Sequence, residues 1–248
     1  MIFDANASLG ESLYGPRQRP DELLARMDAH GIERAVVSAF TPPDLDLRRA
    51  NAEVARAAAR EPRLVPFARL DPRLGAAALR ELATSRDEGV RGVKVDPFEQ
   101  GFVVNSNLVF DVFAACAEAG LPLLVVAGWP ALSSPIQVGD LAERLPALRV
   151  LMAHGGQLAM HGLGIMDCLA VVAAVPNVWV ESSGIPETGT ESLIEHVVLD
   201  VSPDRVVFGS NAPINDPGME LERIRVAAVP EAAKEQMRGA NLVAVLGA

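Results

Sequence analysis

The chain reads as an α/β protein, a closed (β/α)8 TIM barrel formed by a single domain over residues 1–248, and three observations predict it. Apolar strand-like runs alternate with helical patterns eight times. The runs are continuously apolar, as LPLLVV and RVLMA show, and do not alternate with polar residues. A parallel strand covered on both faces has this pattern. Glycine or proline punctuates the joins between elements. A doubly wound open sheet is the runner-up, but a closed barrel leaves no edge strand to protect.

Strands are predicted at 2–6, 34–39, 64–70, 92–96, 122–126, 149–154, 178–182 and 205–210. Helices are predicted at 20–30, 44–60, 74–86, 107–119, 137–145, 162–174, 190–199 and 216–228, with a last one at 230–246. Thr41-Pro42-Pro43-Asp44 supplies a proline-rich helix entry, and Pro203 sits in the turn before a strand. Gly31, Gly89 and Gly120 each follow a helix, where a left-handed residue ends it without steric cost.

Composition narrows the function. Half of the residues are hydrophobic, enough for one large core, and the net charge is −10 with no run of Lys or Arg. A nucleic-acid footprint is not expected. Apolar runs such as 121–127 fall far short of the roughly 20 residues of a membrane span. The first strand starts at residue 2 and leaves no signal peptide, so a cytoplasmic protein is expected. Cys116 and Cys168 lie in separate helical patterns and are expected to be buried reduced thiols.

Catalytic groups of such barrels sit at the C-terminal strand ends and in the loops that follow. That rule selects Asn6, Ser8, Ser38, Phe40, Arg69, Asp71, Lys94, Asp96, the stretch 126–129, His154, the stretch 181–183, Ser210 and Asn211. His154 is the candidate acid or base, because free imidazole titrates near pH 6.5. Its bland alternative is a pocket cap hydrogen-bonded to Asn211 or to a backbone carbonyl. Lys94 is placed either as anchor for a substrate carboxylate or in an ion pair with Asp96 or Glu181. Strand alternation favours the pair with Asp96, two residues along. Trp129 and Phe98 are candidates to line the mouth; Asp4 is expected to hydrogen-bond within the barrel; His30, His161 and His196 are expected to be structural.

Dispersed motifs resemble one family. They are Ile2-Phe3-Asp4-Ala5-Asn6-Ala7-Ser8-Leu9-Gly10, Gly92-Val93-Lys94-Val95-Asp96-Pro97, Leu121-Pro122-Leu123-Leu124-Val125-Val126-Ala127-Gly128, Met152-Ala153-His154-Gly155-Gly156, Phe208-Gly209-Ser210-Asn211-Ala212-Pro213 and Gly239-Ala240-Asn241-Leu242. In this order they resemble the amidohydrolase-related family, in the branch of aminocarboxymuconate semialdehyde decarboxylase, other aromatic-acid decarboxylases and lactonases. The resemblance implies a metal-bearing barrel with His-x-His on the first strand, where Asn6-Ala7-Ser8 stands. It implies a further His at Val126 and a metal-binding, proton-accepting Asp at Asn211, so that only His154 of the five is retained.

Catalytic zinc sites usually keep three protein ligands, and an amide or hydroxyl is a poor one. Neutral Asn211 accepts no proton from water. The expectation is therefore a protein without metal or cofactor: a metal-independent hydrolase or lyase acting on a small carboxylate, lactone or amide. Catalysis is assigned to His154, Lys94 and Asp96, and substrate binding to Asn6, Ser8, Trp129, Glu181 and Asn211. Two alternatives stand beside it: an inactive barrel that binds a small ligand or a protein, and a rearranged metal site from Asp96, Glu181 and His154. A homodimer is the expected assembly by the same resemblance.

Overall fold

The computed structural model describes residues 1–185 and 192–247. Its sheet has eight parallel strands and one short antiparallel strand, in the order β2-β1-β3-β4-β5-β6-β7-β8-β9. These are β1 Phe3–Glu11, β2 Arg17–Gln18, β3 Arg34–Ala39, β4 Leu64–Arg69, β5 Gly92–Val95, β6 Leu123–Val126, β7 Val150–Ala153, β8 Val178–Glu181 and β9 Val206–Val207. The eight parallel members are the predicted strands. Hairpin strand β2 was not expected; it pairs through Gly10–Gln18 and Glu11–Arg17, so β1 runs five residues beyond its predicted end.

Two hydrophobic clusters show why continuous apolar runs suit this fold. Val36, Val65, Phe67, Leu124, Leu151, Ala153 and Val207 fill the barrel interior. Their strand neighbours Val37, Leu64, Val93, Leu123, Val125, Val150, Val180 and Val206 pack outward against helices. The same alternation turns Lys94, between Val93 and Val95, and Glu181, after Val180, toward the interior. At the N-terminal end, Leu242 and Val245 of the last helical segment, Asn241–Leu246, join the inner cluster and plug the barrel floor.

Closure between the first and last strands is irregular. Backbone bonds Ala5 N–H to Phe208 O and Ser8 N–H to Ala212 O, each 2.9 Å, join the two edges. Between them β1 is bulged, its register against β3 shifting between Asp4 and Ala7. The bulge reverses the facing of the strand. Ala5 packs inward, yet Ala7 and Leu9 pack outward, which leaves Asn6 and Ser8 facing the mouth. Fully buried Asp4 accepts what the bulge leaves unpaired: the N–H of Asn6 at 2.9 Å, the N–H of Ser210 at 2.8 Å and the Ser210 hydroxyl at 2.5 Å. Burial pushes the Asp4 carboxyl up to about 7, against these three donors. β9 stops at Val207, short of its predicted end, because Phe208, Gly209 and Ser210 bond to Met237 O, the Ser182 hydroxyl and Asp4 instead.

The helices fall near their predicted places. Gly31, Gly89 and Gly120 take φ of 67°, 88° and 65°. The helix predicted at 44–60 begins at Leu47, because the Asp46 carboxylate caps it by accepting from Arg49 N–H at 2.9 Å. The helix predicted at 137–145 begins at Pro135, behind a Ser134–Gln137 capping box. Of the helix predicted at 190–199, residues 190 and 191 lie outside the described residues, and Leu193–His196 is helical. Cys116 and Cys168 are free and buried. Among the described residues no helix is long and apolar enough to cross a membrane.

Asp4→Ala leaves three buried donors without an acceptor and is expected to cost about 3–5 kcal/mol. Urea unfolding monitored by circular dichroism measures it; a loss below about 1 kcal/mol contradicts the closing role of the carboxylate.

Candidate active site

The mouth is built around two inward-facing side chains, Lys94 at the end of β5 and Glu181 at the end of β8, joined through the bulge residue Asn6. The Lys94 Nζ donates to Asn6 Oδ1 at 2.8 Å and to Ser8 Oγ at 3.4 Å. Asn6 Nδ2 in turn donates to Glu181 Oε2 at 3.2 Å. Glu181 is fully buried and accepts three further bonds: from the Ser183 N–H at 2.8 Å, the Ser183 hydroxyl at 2.9 Å and the His154 backbone N–H at 3.3 Å. A carboxylate with four donors aimed at it is solvated by the protein itself. Gly209 permits that placement, because a Cβ there would collide with the Glu181 carboxylate.

Lys94 is 5 % exposed, and no carboxylate lies within salt-bridge distance of its Nζ among the described residues. Burial, aided by the Arg69 charge, lowers its pKa to about 8. The expected pair with Asp96 does not form. β5 ends at Val95, so alternation no longer applies to the next residue. Asp96 instead caps the following short helix, α4 Pro97–Gln100, accepting the N–H groups of Phe98 and Glu99 at 3.1 Å each. Its other oxygen faces the Arg69 guanidinium at 3.8 Å. Burial, reinforced by the neighbouring Glu99 and opposed by Arg69, raises its pKa. Arg69 and Glu99 thus form an ion pair that the site assignment above omits. Arg69 was visible by the strand-end rule; Glu99 carries no such signal, since its place depends on the turn of α4.

His154 is buried directly after β7, in the left-handed region at φ 59°. An imidazole residue held there marks a strained position. Its Nδ1 lies 2.8 Å from the Ser183 carbonyl oxygen and 3.2 Å from the Ser183 hydroxyl. A carbonyl only accepts, so Nδ1 carries a proton, and in the neutral ring the lone pair is on Nε2. Of the two bonding partners expected for His154, a backbone carbonyl is found and Asn211 is not. Asn211 is half-buried in the left-handed region, at φ 53°, and its side chain makes no hydrogen bond among the described residues. Trp129 is half-buried and stacks face to face on Phe98, ring centroids 3.6 Å apart. Val126, buried at the end of β6, offers only methyl groups.

The metal implied by the family pattern does not fit these residues. Asn6 and Ser8 give their oxygens to an ammonium group. Glu181 is committed to Asn6, Ser183 and His154, and Asp96 to α4 and Arg69, so the rearranged site does not assemble. No group of three or more His, Cys, Asp or Glu side chains converges among the described residues.

Comparison with known proteins supports the architecture. The amidohydrolase family model (Amidohydro_2) matches residues 5–247. Similar solved structures include an uncharacterised TIM-barrel protein from Bordetella bronchiseptica, at 19 % identity and a TM-score of 0.79, covering 100 % of this chain and 99 % of that one. The 5-carboxyvanillate decarboxylase from Sphingomonas paucimobilis is 17 % identical with a TM-score of 0.78, covering 99 % and 98 %. A dihydroxybenzoic acid decarboxylase from Polaromonas, with bound manganese and the inhibitor 2-nitroresorcinol, is 16 % identical with a TM-score of 0.78, covering 99 % and 96 %. No curated protein matches the chain.

The buried ammonium sets a pH dependence of stability. Below pH 8 both folded and unfolded chains carry the Lys94 proton, and the fold bears the full cost of its desolvation. Between about 8 and the ordinary 10.5 the unfolded chain holds more protons, so stability rises with pH. Relative to Lys94→Met, the wild type is therefore expected to gain on the order of 3 kcal/mol across that window. Denaturant unfolding of both proteins at pH 7.5 and 10.5 checks it; a constant difference contradicts the buried charge.

Proposed function

The chain belongs to the amidohydrolase family, and from that premise we propose that it is a metal-independent hydrolase or lyase of a small carboxylate, lactone or amide. One observation carries the reading. The Lys94 ammonium is seated on Asn6 and Ser8, the positions where the family pattern has metal-binding imidazoles. Positive charge at the mouth then comes from a side chain, and its one uncommitted N–H is available to a substrate oxygen.

Hydrolysis of a lactone or amide illustrates the roles. The substrate carbonyl oxygen accepts the free Lys94 N–H. The His154 Nε2 takes a proton from water as the water oxygen bonds to the carbonyl carbon. That proton passes to the departing oxygen or nitrogen as its bond to the carbonyl carbon breaks, which leaves His154 neutral again. Ser183 and Glu181 hold the imidazole and its backbone in place. Asn211 and Trp129 are assigned to orienting the substrate, and Asp96 acts as a positioning residue through α4 and Arg69. A carboxylate substrate would use the same Lys94 charge as its anchor.

Turnover of a panel of small lactones, amides and aromatic acids is expected to survive exhaustive chelation, with no stoichiometric divalent ion by elemental analysis. His154→Ala and Lys94→Ala are each expected to lower kcat/KM by at least about 100-fold. A stoichiometric metal whose removal abolishes turnover overturns the proposal, and so does unchanged turnover in either variant. Ligand binding with no turnover in the wild type would favour the inactive-barrel reading.

A further inference from the structure

Beside the mouth, a cavity of about 520 Å³ lies between the loops that follow β1, β3 and β4. It contains neither Lys94 nor His154, and of the groups given a role at the mouth only Arg69 and the end of α4, through Glu99 and Gln100, border it. Its size is in the range that holds small organic ligands.

The walls and the floor differ in chemistry. Leu13, Leu45 and Leu74 line it while 47 %, 65 % and 59 % exposed, an unusual outlay of large apolar side chains. Leu45 stands in the left-handed region at φ 59°, a costly backbone for a leucine, so its side chain is held at this rim against its own preference. Arg69 lines the floor with its side chain only 3 % exposed. Its Nη2 is used by Glu99 and faces Asp96, but Nε is buried with no hydrogen-bond partner, and Nη1 bonds to nothing among the described residues.

Three guanidinium N–H groups without a protein partner, the buried one on Nε and two on Nη1, call for acceptor oxygen. Two carboxylates already balance that guanidinium, Glu99 bonded to it and Asp96 3.8 Å away. A third anion would meet Glu99 and Asp96 at close range. A neutral carbonyl would not.

We propose that this cavity is a second binding site, for an uncharged amphipathic molecule that directs a carbonyl oxygen, as in a small amide or ester, to Arg69 and covers an aliphatic body with Leu13, Leu45 and Leu74. The proposal stands independently of the reaction assigned to the mouth.

The probe is hexanamide at pH 7, with hexanoate of the same chain length as its charged counterpart, followed by NMR of the leucine methyls and the Arg69 Nε–H. Hexanamide is expected to shift the Leu45, Leu74 and Arg69 signals saturably and to bind at least about fivefold more tightly than hexanoate. Leu45→Asp and Leu74→Asp, both exposed substitutions outside the mouth, are expected to weaken it at least about tenfold with the fold intact by circular dichroism. No saturable shift, a preference for hexanoate, or binding indifferent to both leucine variants overturns the proposal.

Discussion

Everything at the mouth depends on how the Asp4 carboxylate closes the barrel. A regular first strand would alternate its side chains and could not turn both Ala5 and Asn6 inward. The bulge does so, at the cost of stranding backbone N–H groups beside a last strand only two residues long. Asp4 accepts from both sides of that gap, from Asn6 and from Ser210, and so replaces missing ladder bonds with side-chain ones. An unsatisfied buried amide costs on the order of 1–3 kcal/mol, so a gap of this kind closes only with an acceptor in it.

From that bulge the polar network follows by contact. Asn6 has one acceptor and one donor group, and the fold uses both: the carbonyl toward Lys94, the amide toward Glu181. A neutral side chain thus relays between a buried cation and a buried anion that do not touch. Direct pairing would hold the two charges together and leave the ammonium little to offer a third group. Separated by an amide, Lys94 keeps a donor in hand, and Glu181 is satisfied by Ser183 and the His154 backbone. The same Ser183 fixes the His154 tautomer, so one short turn after β8 serves both the carboxylate and the imidazole.

The barrel was legible because burial on both faces forces continuous apolar runs, and the strand count survives errors at the ends. Inward facing of Lys94 and Glu181 was legible too, since each follows an outward valine in a regular strand. What sequence could not show is where regularity fails. Nothing in FDANAS announces the bulge, and with it the contact of Asn6 with Lys94. Asp96 was misread as a strand residue because the proline after it opens a helix, which converts a side chain expected to face Lys94 into a cap. The Arg69–Glu99 pair joins a strand end to a turn of α4, 30 residues apart, and spacing offers no cue for it. The strand expected to run on to residue 210 ends at Val207, because the N–H groups of Phe208, Gly209 and Ser210 go to Met237 O, the Ser182 hydroxyl and Asp4.

The departures from the family pattern are linked by electrostatics. An ammonium resting on Asn6 and Ser8 occupies the space in which a cation held by residues 6 and 8 would sit. Were the two about 4 Å apart, a divalent ion and an ammonium would repel by about 8 kcal/mol at an effective dielectric of about 20. Restoring imidazoles at 6 and 8 alone would therefore leave the ion facing a buried charge, with Val126 and Asn211 supplying no compensating donor of the right kind. Conversely, a buried lysine without a carboxylate beside it is tolerable only where neutral oxygens take its protons. An amide and a hydroxyl provide them; unprotonated imidazoles would have to be held for the purpose. Asn6, Ser8 and Lys94 make sense as one unit, and Asn211, no longer required to be an anion, is free to be neutral at the same mouth.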